Sequence, residues 1–421
     1  MTDSTDKLDK PALTDLLVPA LPGGLQRHRD DFADELRGFA LLGIVLVNAP
    51  FFAVSVQGFV DASVATWYDR TAAFLIFAFA QAKFYLLFSF LFGYSLHYIV
   101  KNDAPETVRR FKWRLVGLAL IGVAHAAFLF TGDILFVYAI LGIGLLALRK
   151  KTDRVILWSG VVASFLWAVF WGVLCWSVWD SSQNTSSPAS AGGAWDGLDV
   201  AIQTFNLALQ SANFWDATAA RLAYWPWALL FGVLLNGLAV VAMFCAGLVA
   251  GRRRLLATPA AHLALWRNGR VWGLGFGVPL GIFSAWLAVG PGAQLNANSG
   301  LREIAGTAMG YLSAPLLTWG YVSVLALQHV HQAPFLAVFR PAGRMSLTVY
   351  IGQSLLLSFT FAAYGLGYFG QMTAAGVAAT ALMSWAVMNL TALLIQKRFA
   401  YGPLEALVRW ISRRKERGND G

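Results

Sequence analysis

The chain has 421 residues, of which 57% are hydrophobic and 13% are charged, and its mean hydropathy is +0.58. Soluble domains carry about a quarter charged residues, so this composition excludes a soluble globular protein and predicts a chain embedded mostly in lipid. The net charge of +10 does not indicate nucleic-acid binding, because the basic residues recur in clusters between apolar segments, as membrane topology requires.

The N-terminal segment, residues 1–35, is polar, and no cleavable signal peptide is expected there. A bilayer requires about 20 apolar residues per helix. By that measure the chain contains ten spans, near residues 36–56, 73–100, 113–131, 133–149, 154–178, 225–250, 271–290, 304–327, 345–367 and 373–396. The predicted fold is an all-α, polytopic membrane helix bundle with about ten transmembrane helices.

Basic residues set the predicted orientation of the bundle. Clusters of Lys and Arg follow spans two, four, six, eight and ten, whereas the alternate loops carry few of them. The positive-inside rule therefore places both termini in the cytoplasm. It also makes residues 398–421 a basic cytoplasmic tail.

A long loop on the opposite side divides the bundle into two five-helix halves, residues 36–178 and 225–397. This loop, residues 179–224, opens with the flexible polar stretch SSQNTSSPASAGGAWDG. Its remainder carries apolar residues at helical spacing, which predicts an amphipathic extracytoplasmic helix. Such a helix either packs on the bundle surface or acts as a lid.

Neither disulfide nor metal chemistry is predicted. Cys175 and Cys245 both lie inside apolar runs, which argues against a disulfide framework. The sequence HVH at 329–331 has metal-ligand side chains but lacks a carboxylate or cysteine set, so we expect no metal site.

Four polar residues within the predicted spans are candidate functional residues, since such groups are costly in lipid. Lys83 lies near mid-depth, whereas Asn48, His125 and Asp133 share a level near the outer ends of their spans. Structural alternatives exist for three of them. Asp133 is also a natural N-cap after the FTGD turn, His125 could be an interhelical hydrogen-bond partner, and Lys83 could pair with a carboxylate.

A second group of charged residues is predicted at the inner face. Its members come from both ends of the chain: Asp34, Arg37, Arg344, Glu405 and Arg409, with Gln353 deeper in span nine. This group could clamp a phosphate-bearing ligand or simply tie the last helix to the first. Asp34 and Arg37 could also form an ordinary intrahelical ion pair.

Five blocks carry a resemblance to a known family. They are LRGFALLGIVLVNAPFF, AKFYLLFSFLFGYSL, HAAFLFTGDILFVYAILGI, GRMSLTVYIGQSLL and GPLEALVRW, in this order. The chain resembles the YeiB-like family of bacterial inner-membrane proteins, whose C-terminal half is a domain of unknown function numbered 418. The blocks span nearly the whole chain, and the resemblance implies a multi-pass protein of the bacterial inner membrane.

The first block is also similar to the first span of transmembrane acyltransferases such as heparan-alpha-glucosaminide N-acetyltransferase. These enzymes pass an acyl group from a donor such as acetyl-CoA to a sugar. The resemblance implies that Asp34, Arg37 and Asn48 belong to a shared scaffold, with Asn48 near the reacting centre. That enzyme has a histidine shortly after this asparagine, whereas this chain has none between His28 and His97. His125 is then the best candidate for the base.

We therefore expect a membrane-embedded acyltransferase. His125 would be the base and Asp133 would orient it, the Asn48 amide would donate to the oxyanion, and Arg37 and Arg344 would hold the phosphates of acetyl-CoA or another acyl-CoA.

The acceptor would be a carbohydrate or a lipid-linked envelope molecule. Two alternatives remain. The first is a transporter or flippase whose path is lined by Lys83, Gln353 and the outer residues. The second is a non-catalytic membrane protein. The sequence leaves the oligomeric state open, with a homodimer among the alternatives.

Overall fold

The computed structural model describes residues 31–55, 66–100, 104–183, 196–290 and 299–413, and within these ranges the chain forms helices and no β-strand. The helices are α1 (Asp31–Ala53), α2 (Trp67–Phe79), α3 (Lys83–Ile99), α4 (Pro105–Phe128), α5 (Leu135–Leu148), α6 (Asp153–Gln183), α7 (Asp196–Leu209), α8 (Phe214–Gly232), α9 (Leu238–Arg252), α10 (Leu263–Asn268), α11 (Leu274–Val289), α12 (Ser299–Val330), α13 (Arg340–Arg344), α14 (Ser346–Phe361), α15 (Ala374–Gln396) and α16 (Pro403–Arg413).

Eight helical segments of the described chain are long and apolar enough to cross a membrane, and α5 and α14 are shorter apolar helices. Three of the eight are composite, because α2 continues into α3, α8 into α9, and α10 into α11. The prediction of an all-α, polytopic membrane bundle is confirmed. Residues 1–30 and 414–421 lie outside the described residues, so the location of the termini stays a prediction.

The bundle has a packed centre and a lipid-facing perimeter. In the most apolar stretches of α1 and α12, 61% of residues are buried, against 17% in α6 and α15. Large side chains such as Trp158, Phe165 and Val173 of α6 are more than half exposed. A helix that is apolar all round and yet exposed on most sides is stable only in lipid, which places α6 and α15 at the perimeter.

Close helix packing at the centre depends on glycine. Helices α3 and α9 pack along each other, with Gly93 of α3 and Gly247 of α9 at the contact. A Cβ atom on Gly247 would collide with the backbone oxygen of Phe90, and one on Gly93 with that of Phe244. Small residues allow such backbone approach, which favours helix association in membranes.

The second span, predicted as one segment over residues 73–100, is interrupted between α2 and α3. Ala82 has a φ of 68°, in the left-handed region that an alanine rarely adopts. Side chains bind carbonyls on both sides of the break. The Lys83 ammonium donates to the Phe77 oxygen (3.2 Å), and from α12 the Tyr321 hydroxyl donates to the Phe79 oxygen (2.9 Å) and the Thr318 hydroxyl to the Lys83 oxygen (3.0 Å).

The predicted loop over residues 179–224 contains two helices in its described part. Helix α7 is the amphipathic helix, and α8 begins at Phe214 and runs without a loop towards α9. The five residues between α8 and α9, Val233–Gly237, form a π-helical segment. Residues 184–195, which include most of the Ser-rich stretch, lie outside the described residues.

Candidate active site

The centre of the candidate site is a histidine–aspartate pair at the turn between α4 and α5. His125 lies in the last turn of α4, and Asp133 lies just before α5. The His125 Nδ1 atom is 2.8 Å from the Asp133 Oδ1 atom, and both side chains are fully buried. The other carboxylate oxygen of Asp133 accepts the Phe136 backbone N–H at 2.9 Å. Asp133 is therefore both a cap of α5 and a partner of the histidine.

Gly122 makes this approach of α4 to α5 possible. A Cβ atom at this position would lie 2.6 Å from both the Asp133 Oδ2 atom and the Phe136 nitrogen. Real Cβ atoms are not found at that distance, so any side chain here would push the two helices apart.

The free nitrogen of the imidazole is suited to accept a proton. An ionised Asp133 favours the tautomer with hydrogen on Nδ1, which leaves a lone pair on Nε2. Within the described part of the chain, Nε2 is buried and has no hydrogen-bond partner. The ring packs against Tyr350 and Phe130, with centroid distances of 5.1 and 6.0 Å. His125 is thus oriented through Nδ1, while Nε2 keeps an unused hydrogen-bonding capacity beneath the rings of Phe130 and Tyr350.

A cavity of about 540 Å³ adjoins this pair, a size typical of small-molecule sites. Asp133, Phe130 and Tyr350 form part of its wall, and His125 lies directly behind them. The wall also includes the break between α2 and α3 and the π-helical segment. Besides Asp133 and Tyr350, its polar lining residues include Asn48, Gln81, Tyr85, Arg221, Asn236 and Tyr311.

Helix α7 covers one side of the cavity. Its apolar residues Leu198, Ile202, Phe205 and Leu209 lie at helical spacing, and all of them line the cavity. The rings of Phe52 and Phe130 are stacked with their centroids 4.7 Å apart, which places the end of α1 beside the α4–α5 turn. We call this end of the bundle the cavity end, and the opposite end, which carries Asp31, Asp34 and Arg344, the charged end.

Ion pairs at the charged end join α1 to the segment around α13. Arg37 pairs with Asp34 (2.6 Å) and donates to the Ser95 hydroxyl (2.9 Å). Arg344 lies 3.1 Å from Asp31 and 3.8 Å from Asp34. The structure thus brings together Asp34, Arg37 and Arg344 of the predicted inner-face group, in contacts that also stabilise the fold.

Glu405, which was also predicted for that group, contacts the start of α14. It accepts the backbone N–H groups of Leu347 (2.8 Å) and Thr348 (3.2 Å) and the Thr348 hydroxyl (2.6 Å), so it caps the start of α14 from α16. Arg409 stacks over the Tyr401 ring at 3.9 Å. Arg114 of α4, which sequence reasoning missed, lies within electrostatic range of Arg37, Arg409 and Glu405.

Two further predicted residues do not line the cavity. Lys83 is buried, and its ammonium caps the last turn of α2, a position that the helix dipole favours. Gln353 is buried in α14, and its Nε2 atom lacks a partner in the described part of the chain. Among the described residues there is no group of three metal-ligating side chains, and His329 instead pairs with Glu35 at 2.7 Å.

Sequence reasoning also missed Arg221, Tyr350 and Asn236 of the cavity wall. Arg221 falls in the stretch that was assigned to the outer loop, where an arginine is unremarkable. A signal was nevertheless present, because Arg221 is followed by the apolar sequence LAYWPWALLFG, which continues directly into the sixth span. Tyr350 carries no sequence pattern that separates it from packing residues. Asn236 is a polar residue inside the predicted span 225–250, so the criterion that selected Asn48 would also have found it.

Comparison with known proteins shows that this chain is similar to a bacterial protein over nearly its full length. A family model described as "Protein of unknown function (DUF418)" matches residues 250–415. The chain is 30% identical to "Uncharacterized protein YxaH" of Bacillus subtilis (strain 168) over 416 residues, which cover 93% of this chain and 96% of that protein. It is 32% identical to "Uncharacterized protein YeiB" of Escherichia coli (strain K12) over 123 residues, or 28% of this chain and 30% of that protein. No solved structure gives a significant match.

Proposed function

This chain belongs to the YeiB-like DUF418 family, and we propose that it is a membrane-embedded acyltransferase. It moves an acetyl-like acyl group from an acyl-CoA donor to a carbohydrate or other envelope acceptor. The chain is a multi-pass membrane protein, and we assign it to the bacterial inner membrane with the charged end in the cytoplasm. The positive-inside distribution of its loops supports this orientation.

The observation that carries the proposal is the buried His125–Asp133 pair beside the cavity. A carboxylate that fixes the imidazole tautomer and leaves the second nitrogen free is the arrangement that general-base catalysis requires. Asn48 lines the same cavity, and its amide N–H₂ group is suited to stabilise an oxyanion.

The reaction follows from these groups. The acceptor hydroxyl or amine attacks the thioester carbonyl while the His125 Nε2 atom takes its proton, and Asn48 donates to the resulting oxyanion. The carbon–sulfur bond then breaks, and the proton passes from the imidazole to the departing thiolate. Because His125 lies behind Phe130 and Tyr350, one of these rings must turn aside when the substrates bind.

The donor's phosphates fit the charged end. Arg37 and Arg344 are each paired with carboxylates but remain partly exposed, with side-chain exposures of 23% and 36%. Arg114 adds a third guanidinium within electrostatic range of Arg37. Guanidinium groups bind phosphate oxygens in bidentate fashion, so this end would hold the coenzyme while the acyl group reaches the cavity.

A specific observation favours transport as a second candidate function. The cavity is lined by a broken helix, α2–α3, and by a π-helical segment, and discontinuous membrane helices often form solute sites in transporters. Transport predicts movement of a polar solute across proteoliposomes without an acyl donor and without an acylated product.

Label transfer distinguishes these functions. Purified protein is incubated with radiolabelled acetyl-CoA and a crude envelope extract, and labelled product is counted. We expect transfer by the wild type, and a loss on the order of 10²–10⁴-fold in His125→Ala, the usual contribution of a general base. His331→Ala, which removes an exposed histidine, is the matched control and should retain full activity. Equal activity of His125→Ala and the wild type would sink the assignment.

A further inference from the structure

Arg221 is a buried cation that has no acidic partner among the described residues. It lies in α8, is 1% exposed and lines the cavity. Its Nη2 atom donates to the hydroxyl of Tyr364 (2.9 Å) and lies 3.4 Å from that of Ser358, and these two hydroxyls are hydrogen-bonded to each other. Its Nη1 atom is buried and has no partner in the part of the chain that the structure describes.

The acidic side chain in the described cavity wall does not neutralise Arg221. Asp133 lines the same cavity, but one of its oxygens is bound to His125 and the other to the Phe136 N–H. No ion pair within 4 Å joins Arg221 to any carboxylate of the described residues. A guanidinium that is shielded from water and left uncompensated is strongly unfavourable, unless a ligand supplies the negative charge.

Two more buried polar atoms on the cavity wall lack partners within the described chain. They are the Oδ1 atom of Asn236, in the π-helical segment, and the hydroxyl of Tyr85. Single-turn π-helical segments are frequent at functional sites. Together with Arg221 these groups offer one cationic donor, one acceptor and one hydroxyl, in a wall that is otherwise largely aromatic and aliphatic.

We propose that the cavity binds a small hydroxylated anion, with its carboxylate or phosphate on the Arg221 guanidinium and its hydroxyl groups on Asn236 and Tyr85. This anion is the acyl acceptor, an assignment that rests on the acyltransferase function proposed above. The charges also orient it, because Asp133 repels the anionic group from its side of the cavity. The acceptor hydroxyl or amine is thereby directed towards His125.

The alternative role for Arg221 is to tie α8 to Tyr364 and the loop that follows α14. That role would depend on the Tyr364 hydroxyl, whereas ligand binding depends on the charge of Arg221. The variants Tyr364→Phe and Arg221→Gln therefore separate the two roles.

The test measures binding without any acyl donor, so its outcome does not depend on whether acyl transfer occurs. Purified protein in detergent is titrated with glucuronate, glucose 6-phosphate and neutral methyl glucoside up to millimolar concentrations, and the intrinsic tryptophan fluorescence and melting temperature are recorded. We expect at least one of the two anions to bind and methyl glucoside to bind far more weakly. The better anion shows whether the site prefers carboxylate or phosphate.

Arg221→Gln should weaken anion binding by about 10- to 100-fold, as expected for the loss of a charge-assisted hydrogen bond. Arg221→Lys should retain part of the affinity, and Tyr364→Phe should retain most of it. Arg302→Gln is the matched control, because Arg302 stacks on Trp286 and is not in the cavity wall. The proposal is overturned if neither anion binds, if methyl glucoside binds as tightly, or if Arg221→Gln binds like the wild type.

Discussion

At the residue scale, Asp133 performs two tasks with separate oxygens. One oxygen accepts the Phe136 N–H in the first turn of α5, and the other contacts the imidazole of His125. The capping role and the catalytic role are therefore compatible. The same contacts leave neither side-chain oxygen of Asp133 without a partner in its buried position.

Replacing this carboxylate separates the two tasks. In Asp133→Asn the side-chain oxygen can still cap α5, but the negative charge that stabilises the protonated imidazole is lost. We expect acetyl transfer to fall on the order of 10²–10⁴-fold with little change in melting temperature. Asp153→Asn, which removes a carboxylate that pairs with Arg252 at the start of α6, serves as the control. Wild-type transfer rates in Asp133→Asn would show that the pair is only structural.

Glu35 provides a stability prediction at the charged end. It is 1% exposed and contacts Arg340 and His329, each at 2.7 Å. Glu35→Gln would leave Arg340 without its main counter-charge, but Arg340 is 37% exposed and water compensates part of the loss. We expect a decrease in the free energy of unfolding of about 1–2 kcal/mol. Glu106→Gln removes an exposed ion pair with Arg110 and should change the free energy of unfolding by less than about 0.5 kcal/mol. Equal melting temperatures for the two variants would contradict this account.

Residue-level prediction from the sequence succeeded where the distance along the chain was short. The turn at Gly132 confines His125 and Asp133 to neighbouring helices, so their approach follows from local geometry. Glu405 binds the backbone of the distant Thr348, and Lys83 binds the nearby Phe77 oxygen only because the helix is broken at Ala82. Such partners depend on helix placement, and no pattern in the sequence specifies it.

At the element scale, the α4–α5 hairpin depends on one small residue. Gly122→Leu inserts a side chain where even a Cβ atom lies 2.6 Å from Asp133. We expect a destabilisation of about 1–3 kcal/mol from overpacking and loss of the His125–Asp133 contact, and so of acetyl transfer. The control is Gly144→Leu in α5, because a Cβ at Gly144 meets no atom within 4 Å. Both the melting temperature and transfer are measured, and a Gly122→Leu protein equal to Gly144→Leu in both would refute the packing argument.

The break between α2 and α3 could not be predicted, because neither glycine nor proline marks it. The local sequence AFAQAKFY contains good helix formers. The left-handed turn at Ala82 is instead held by Thr318 and Tyr321 of α12, which bind carbonyls on either side of it. Neighbouring helices can satisfy a broken backbone in this way inside a membrane.

At the scale of the whole molecule, polar groups fall into two regions with an apolar perimeter around them. The charged end contains the ion pairs of Asp31, Asp34 and Glu35, and the cavity end contains His125, Asp133 and Arg221. Composition and hydropathy predicted the helical bundle, since apolar segments of this length have few other stable forms in lipid. They could not predict that α7 forms a cavity wall, because an amphipathic pattern does not specify its partner.

The central claim is that an acyl group passes directly from a donor at the charged end to an acceptor in the cavity, with His125 as the general base. It is tested most directly with sealed membrane vesicles from expressing bacteria, prepared inverted or right side out, with radiolabelled acetyl-CoA added only to the outside. The account predicts labelled envelope product in inverted vesicles and little in right-side-out vesicles. Vesicles that contain His125→Ala should give no labelled product in either orientation. Equal labelling in both orientations, or labelling that is independent of His125, would contradict it.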